Sequence, residues 1–206
     1  MHEIPQAFSP NDFLTYKPEG AFLTYGVINS IVVPRPVAFV TTLGASGVVN
    51  AAPFSYFNVV SSSPFLISIA IERRQKERKD TSTNIRTRKE FVVNICRTNL
   101  AHAIYIAGKD FPPEVSEIEL TKLSLIPSKV IQTPRIANSP IQLECSVHQF
   151  VEIAETGGDL IIGKVVNIHI LEEVLTASGE IDIEKLNPIA RLAGASFATL
   201  SCFRAD

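Results

Sequence analysis

The segment Asn50-Ala-Ala-Pro-Phe-Ser-Tyr-Phe-Asn58 brings three kinds of side chain together. Ala51, Ala52 and Ser55 are small enough to let a flat ligand reach the backbone. Phe54, Tyr56 and Phe57 offer aromatic surface, and Ser55 and Asn58 offer hydrogen bonds. The mixture suits an aromatic heterocycle with polar edges. It also suits a strand end and turn whose rings fill a core, and spacing alone does not separate the two. A second segment, residues 72–81, carries Arg73, Arg74, Lys76, Arg78 and Lys79 just ahead of a predicted helix start. A helix N-terminus presents unpaired N–H groups and a partial positive charge, which favours phosphate. Lys79 would add a full charge there, and Thr81 and Ser82 would add hydroxyls. The alternative is a solvated charged loop.

Other chemistries find less to stand on. His2, His102, His148 and His169 form no H-x-x-x-H pair and combine with no cysteine at ligand spacing, so no metal site is expected. His148 and His169 sit on the polar or mixed faces of long strands, where an exposed or hydrogen-bonded ring is the default, though either could border a cofactor. There is no G-x-S-x-G elbow for a hydrolase and no G-x-G-x-x-G after a strand for a doubly wound dinucleotide site. The formal net charge of −2 gives no pull toward nucleic acid or acidic membranes. Cys96, Cys145 and Cys202 are odd in number and far apart, which predicts reduced thiols in a cytoplasmic protein, and Cys145 falls on an apolar strand face as an inert core thiol. The N-terminus does not read as a signal peptide, and no run reaches the ~18 consecutive apolar residues of a membrane helix.

The elements that must position these segments are mostly strands. Residues 36–43 and 48–53 flank a Gly44–Gly47 turn and predict a hairpin. Residues 65–71 and 91–95 read as buried strands. Residues 80–88 read as a short helix with Asp and Thr as capping residues, and residues 99–107 as a helix with Leu100, Ala103, Ile104 and Ala107 on one side, broken by Phe111-Pro112-Pro113. Residues 141–153 alternate with period two, putting Ile141, Leu143, Cys145, Val147, Val151 and Ile153 on one face. A turn at Thr156–Asp159 leads into a returning strand, residues 160–171, whose apolar face is expected to be Ile162, Val166, Ile168 and Ile170. Long antiparallel hairpins with few helices argue for a β-barrel. No repeat or linker divides the chain, so residues 1–206 are expected to form one domain with residues 1–24 as an arm.

In order along the chain, these segments resemble the flavin reductase-like family of FMN-binding split barrels. The resemblance rests on Arg35-Pro36 through Thr41-Thr42, on Asn50–Asn58 with Ser61-Ser-Ser-Pro64, and on Arg78-Lys79-Asp80-Thr81 with Asn84-Ile85. It continues through Glu90–Asn94, Ser139–Cys145 and Ile162–Val165 to Pro188-Ile-Ala-Arg191-Leu-Ala-Gly194, so it covers roughly residues 25–200. It implies a mainly β fold with a few helices, an antiparallel Greek-key split β-barrel that forms a homodimer with noncovalent FMN near the interface. The same resemblance assigns roles. Arg35, Thr41, Thr42, Asn50, Ala52, Ser55, Tyr56, Phe57 and Asn58 would line the ring and ribityl chain, and Arg78, Lys79, Asp80 and Thr81 would surround the phosphate. Asp80 is expected to cap its helix. Arg191 and Gly194 would approach the ring from the C-terminal side. The implied activity is transfer of hydride from NADH or NADPH to flavin and onward to an acceptor, with no catalytic side chain required. An FMN electron carrier serving a protein partner is the alternative.

Overall fold

Runs of β-branched and aromatic residues favour extended backbone, and strands are the principal elements of the fold. The computed structural model describes residues 8–16, 24–74, 77–109, 111–112, 115–153 and 157–202. In chain order it contains α1 (Tyr25–Ile31), β1 (Arg35–Pro36), β2 (Ala38–Leu43), β3 (Val49–Phe54), β4 (Phe57–Ser62), β5 (Phe65–Ile71), α2 (Asp80–Arg88), β6 (Glu90–Ile95), α3 (Ala101–Ala107), α4 (Glu117–Thr121), β7 (Leu125–Ile126), β8 (Arg135–Ile136), β9 (Ile141–Ile153), β10 (Gly158–Ile170), α5 (Ile183–Leu186), β11 (Ala190–Arg191) and β12 (Phe197–Ala198). Short 3-10 turns at Pro10–Asp12, Thr98–Leu100 and Glu172–Val174 complete the described elements.

The principal sheet is antiparallel, with strands in the order β3-β2-β6-β9-β10-β5-β4. Its two edge strands, β3 and β4, are consecutive in the chain and joined only by Ser55 and Tyr56. A connection that short forces the sheet to curl until its edges meet. The Ala70 N–H donates to the Tyr56 carbonyl at 2.8 Å at this joint. The edges meet through a covalent link and no ladder runs between β3 and β4, which is the split barrel. A small sheet, β1-β11-β12, brings the C-terminal segment back beside the joint.

Two apolar clusters hold this arrangement. Inside the barrel lie Ala38, Val40, Phe54, Ile67, Ile69, Ile71, Phe91, Val93, Leu143, Cys145 and Ile161, with Ile85 of α2 packed among them. On the outer face Val37, Phe39 and Ala51 meet Leu100, Ile104 and Ala107 of the α3 region, Ile118 and Ile136. Strand β2 is therefore buried on both sides, with alternate residues assigned to different clusters. The predicted buried face of α3 is observed, although its first turn, Thr98–Leu100, is 3-10.

The returning strand differs from expectation. Ile161 is buried and Val165 packs against the barrel core, whereas Ile168 and Ile170 are exposed. The β9–β10 register shifts between Ile162 and Gly163 and again between Val165 and Asn167. Two irregularities interrupt the period-two pattern, so a single alternation cannot assign the whole strand to one face. Of the turn before it, residues 154–156 lie outside the described residues, as do Pro113, Lys76 and most of the N-terminal arm.

Two carboxylates, the buried Glu144 and the partly buried Glu90, fix the loop between β7 and β8. Glu144 on β9 accepts the N–H groups of Lys129 and Val130 at 2.8 Å each and of Ile131 at 3.2 Å, and it lies 2.5 Å from the His169 Nε2. Glu90 on β6 accepts from Gln132 and from both the N–H and hydroxyl of Thr133. Burial alone would raise the Glu144 pKa. The Lys129 N–H, His169, the Val130 N–H and Asn167 outweigh it and hold the carboxyl at about 2.

Two predictions follow from this packing. A Cβ added at Gly163 would collide with the Phe91 ring in the barrel core, so Gly163→Ala is expected to destabilise the fold by about 1–3 kcal/mol in urea denaturation. Because the folded Glu144 pKa lies below its unfolded value of roughly 4.3, its contribution is complete above that value and is lost as pH falls toward 2. Glu144→Gln is expected to lower the urea midpoint at pH 7 and to flatten the dependence between about pH 4.5 and 2. An unchanged acid limb in the variant would show that other carboxyls control it.

Candidate functional site

Two adjoining pockets open where the β3–β4 joint, the N-terminus of α2, the end of α3 and the C-terminal segment converge. The first, about 370 Å³, is walled by Tyr25 and Asn29 of α1, by Pro53–Tyr56, by Tyr105, and by Arg191, Gly194 and Phe197. The second, about 530 Å³, is walled by Asn50, Ala52 and Phe54 of β3, by Arg78–Thr81, and by Phe111, Pro112 and Glu117. Pro53, Phe54, Lys79, Gly108 and Lys109 line both. The shared lining makes the two pockets neighbours along one continuous wall.

Helix α2 is anchored along its length. Ile85 plugs the barrel, the Ser82 hydroxyl donates to the buried Asp159 carboxylate, and the Arg88 guanidinium donates to the Gly44 carbonyl at 3.0 Å. The N-cap position falls to Lys79, whose side chain makes no capping hydrogen bond. Asp80 is instead the first helical residue, which corrects the expectation that it caps. An acidic residue in the first turn is favourable to the helix dipole. The Asn50 amide donates to the Thr81 oxygen at 2.9 Å, leaving the Thr81 hydroxyl proton for an acceptor elsewhere.

Arg78 and Arg35 serve other partners. Arg78 lies 2.5 Å from Glu152 and 3.2 Å from Asp159, so its charge is already compensated. Arg35, buried beneath the first pocket, donates to the carbonyls of Asn29 and Val32 at 2.6 Å each, to Leu192 at 3.0 Å and to the Ser55 hydroxyl at 3.2 Å. It fixes walls and has little donor capacity left for a ligand. Lys79 and Lys109 form no ion pair among the described residues. Their ammonium groups stand 6.0 Å from the Phe54 ring and 5.0 Å from the Tyr105 ring respectively.

Of the residues expected at the site, Asn50, Ala52, Arg78, Lys79, Asp80 and Thr81 come together at the second pocket, and Arg35, Ser55, Tyr56, Arg191 and Gly194 at the first. Four do not line either pocket. Thr41 is buried and donates to the Pro134 carbonyl, while Thr42 is buried and accepts from Asn50 and Asn84. Phe57 packs against the barrel core, and the exposed Asn58 accepts from the Val59 N–H. Neither His148 nor His169 borders the pockets.

Sequence reading missed Tyr25, Asn29, Tyr105, Lys109 and Glu117. The first two are four apart on α1, behind a Thr24 N-cap, a helix signal that was available just ahead of the first strand. The Asn29 side chain accepts from the Tyr56 hydroxyl at 3.2 Å, tying α1 to the joint. Burial raises the Tyr56 pKa, with Glu72 and Tyr25 adding and Asn29 and Arg35 opposing. Glu117 has no local signature, because its role is to accept the Ala51 N–H at 3.0 Å from the edge of β3. Burial raises its pKa, the Ala51 N–H opposes the rise, and the charge of Asp80 contributes to it.

This arrangement has close counterparts. The family model described as flavin reductase like domain matches residues 30–182. The crystal structure of nitrilotriacetate monooxygenase component B from Bacillus cereus superposes with a TM-score of 0.85 at 38% identity, covering 98% of this chain and 99% of that one. The 2-nitrobenzoate 2-nitroreductase of Pseudomonas fluorescens gives a TM-score of 0.80 at 29% identity, covering 98% and 95% of the two chains. A protein with a split barrel domain from Shewanella frigidimarina, 18% identical, shares the fold with a TM-score of 0.80 over 87% and 89% of the two chains. Taken with the barrel and its pockets, the match over most of the chain's length shows that this protein belongs to the flavin reductase like domain family.

Proposed function

We propose that this protein is an FMN-dependent oxidoreductase of the NAD(P)H:flavin reductase type, accepting hydride from a nicotinamide dinucleotide and passing electrons to an acceptor. The observation that carries this reading is Lys79 at the side-chain-uncapped N-terminus of α2, where the two pockets adjoin, in a chain of this family. The fit to FMN is good at the anion end. Lys79 supplies charge, the first N–H groups of α2 supply donors, and Thr81 supplies a hydroxyl that Asn50 orients. The Pro53–Tyr56 segment offers a flat apolar wall with the Ser55 hydroxyl at its edge. Arg78 acts on the fold through Glu152 and Asp159, and Arg35 shapes the ring wall through its carbonyl contacts.

FMN, when bound, supplies the hydride-accepting chemistry. The chain's own task is then to orient two rings and exclude water, which explains why no acid–base pair is needed at the pockets. A second copy of the chain completes this exclusion. The stretch from α1 into β1 exposes Ile31 at 68% and Val32 at 64%, beside the first pocket, and a symmetric partner would cover both. With its cysteines unpaired and its flavin reduced by soluble dinucleotides, the protein would act in the cytoplasm.

Titration with FMN, followed by quenching of flavin fluorescence, tests the cofactor site. Lys79→Ala is expected to weaken binding about tenfold or more, the loss of one charge-assisted contact. Wild-type protein that retains no FMN would overturn the reading. Anaerobic NADH or NADPH is expected to bleach the bound flavin band at about 450 nm. Retained flavin that neither donor bleaches would favour an electron carrier serving a protein partner. Light scattering is expected to give twice the 22.5 kDa of one chain, and Ile31→Asp to return the mass to that of a monomer. A wild-type monomer would exclude the shared site.

A further inference from the structure

Among the described residues, Arg191 has no acidic partner. It lines the first pocket, stacks over the Phe197 ring at 4.6 Å and donates to the Gly194 carbonyl, and it forms no ion pair among the described residues. Other arginines stand against carboxylates, Arg73 and Arg78 at Glu152 and Arg97 at Glu173 at 2.6 Å, or spend their donors on several neutral acceptors, as Arg35 and Arg135 do. Burial pulls the Arg191 pKa down, with Tyr25 opposing and the Arg35 charge adding to the fall. A guanidinium that is partly desolvated and placed near another guanidinium raises the energy of the empty pocket, and an anion would relieve it.

The walls say what else the ligand carries. Tyr25, Tyr56 and Phe197 are aromatic, and four cations line the pocket, Arg35, Lys79, Lys109 and Arg191, against one carboxylate, Glu72. Arg35 is consumed by its carbonyl and hydroxyl contacts. Lys79 and Lys109 stand at the junction with the second pocket, where the FMN phosphate is placed above. Arg191 lines the first pocket and not the second, so it is the cation left for a second ligand. Its planar fork matches a carboxylate or a phosphate oxygen pair, and the aromatic walls match a ring.

We propose that Arg191 is the anion-recognition residue for a second ligand in the first pocket, a ring-bearing anion that binds beside the flavin. The inference rests on the cofactor reading above for the word "beside", but the anion site itself stands on Arg191 and its walls. The shared chemistry is an anion attached to a flat ring system, and it has two sources: the carboxylate of an aromatic acid, or a phosphate of the nicotinamide dinucleotide.

Calorimetric titration with benzoate and with its neutral isostere benzamide tests this, on protein saturated with FMN and on protein without flavin. Wild-type protein is expected to prefer benzoate by about tenfold or more, the worth of one charged hydrogen-bonded pair. Arg191→Gln is expected to bring the ratio close to one, and Arg191→Lys to restore part of it. A ratio near one in the wild type, or a preference that survives in Arg191→Gln, would overturn the proposal. Competition separates the sources. An acid site is shown by benzoate displaced by other aromatic carboxylates and not by NADH or NADPH, and a dinucleotide site by the reverse. If the protein retains no FMN but the benzoate preference and its loss in Arg191→Gln are seen on the chain alone, the anion site stands and the cofactor reading falls.

Discussion

The Arg35 guanidinium is the interaction on which the site's geometry depends. A single side chain reaches the end of α1 through the carbonyls of Asn29 and Val32, the β3–β4 joint through Ser55, and the C-terminal segment through Leu192. These segments are far apart in sequence and share no continuous sheet. Backbone carbonyls at helix ends and turns need donors when buried, and a planar fork with five N–H groups can serve several at fixed angles. A lysine could not span them, because its donors radiate from one atom. The walls of the first pocket are therefore set by one cation whose own charge is directed into the protein.

The second constraint is the length of the β3–β4 connection. Two residues cannot carry the chain across an open seven-stranded sheet, so the sheet must close, and closure leaves an opening at the joint that other elements fill. Ile85 enters the barrel from α2 and so anchors the helix whose first turn faces the second pocket. Phe91 fills the barrel at the level where Gly163 lacks a side chain, which allows β10 to approach. The core and the site are thus coupled: the residues that pack the barrel also aim the N–H groups of α2.

Much of this was legible in the sequence, and the failures have physical causes. The hairpin of β2 and β3, the buried β5 and β6, and the long β9 followed from β-branched runs and period two, because local pattern decides them. The inward face of β10 was misread because two register shifts moved the alternation. Arg78 is expected at the phosphate and Arg35 along the ring and ribityl chain, yet their partners Glu152, Asp159 and Leu192 lie 74 or more residues away, and no local pattern announces such pairings. Thr41 and Thr42 stand beside the segments that form the pockets, but β2 is covered on both faces and its hydroxyls are spent within the fold. Glu117 was invisible because it answers one unpaired N–H on an edge strand, a need that exists only after folding.

The net charge of −2 conceals how unevenly charge is placed. Acids are used largely as structural acceptors: Glu144 and Glu90 for the N–H groups of one loop, Glu117 for Ala51, and Asp159 for Ser82 and Arg78. Each carboxylate spent on the fold is withdrawn from the cations around the pockets. Lys79, Lys109 and Arg191 are left without ion pairs among the described residues, and all three border the same connected space. Compensated charges such as Arg78 add little field there, whereas uncompensated ones in a concave, partly desolvated site act at reduced dielectric. Fold and site therefore share one electrostatic logic, in which acidic side chains stabilise loops and edges and the first pocket keeps four cations against the single carboxylate of Glu72.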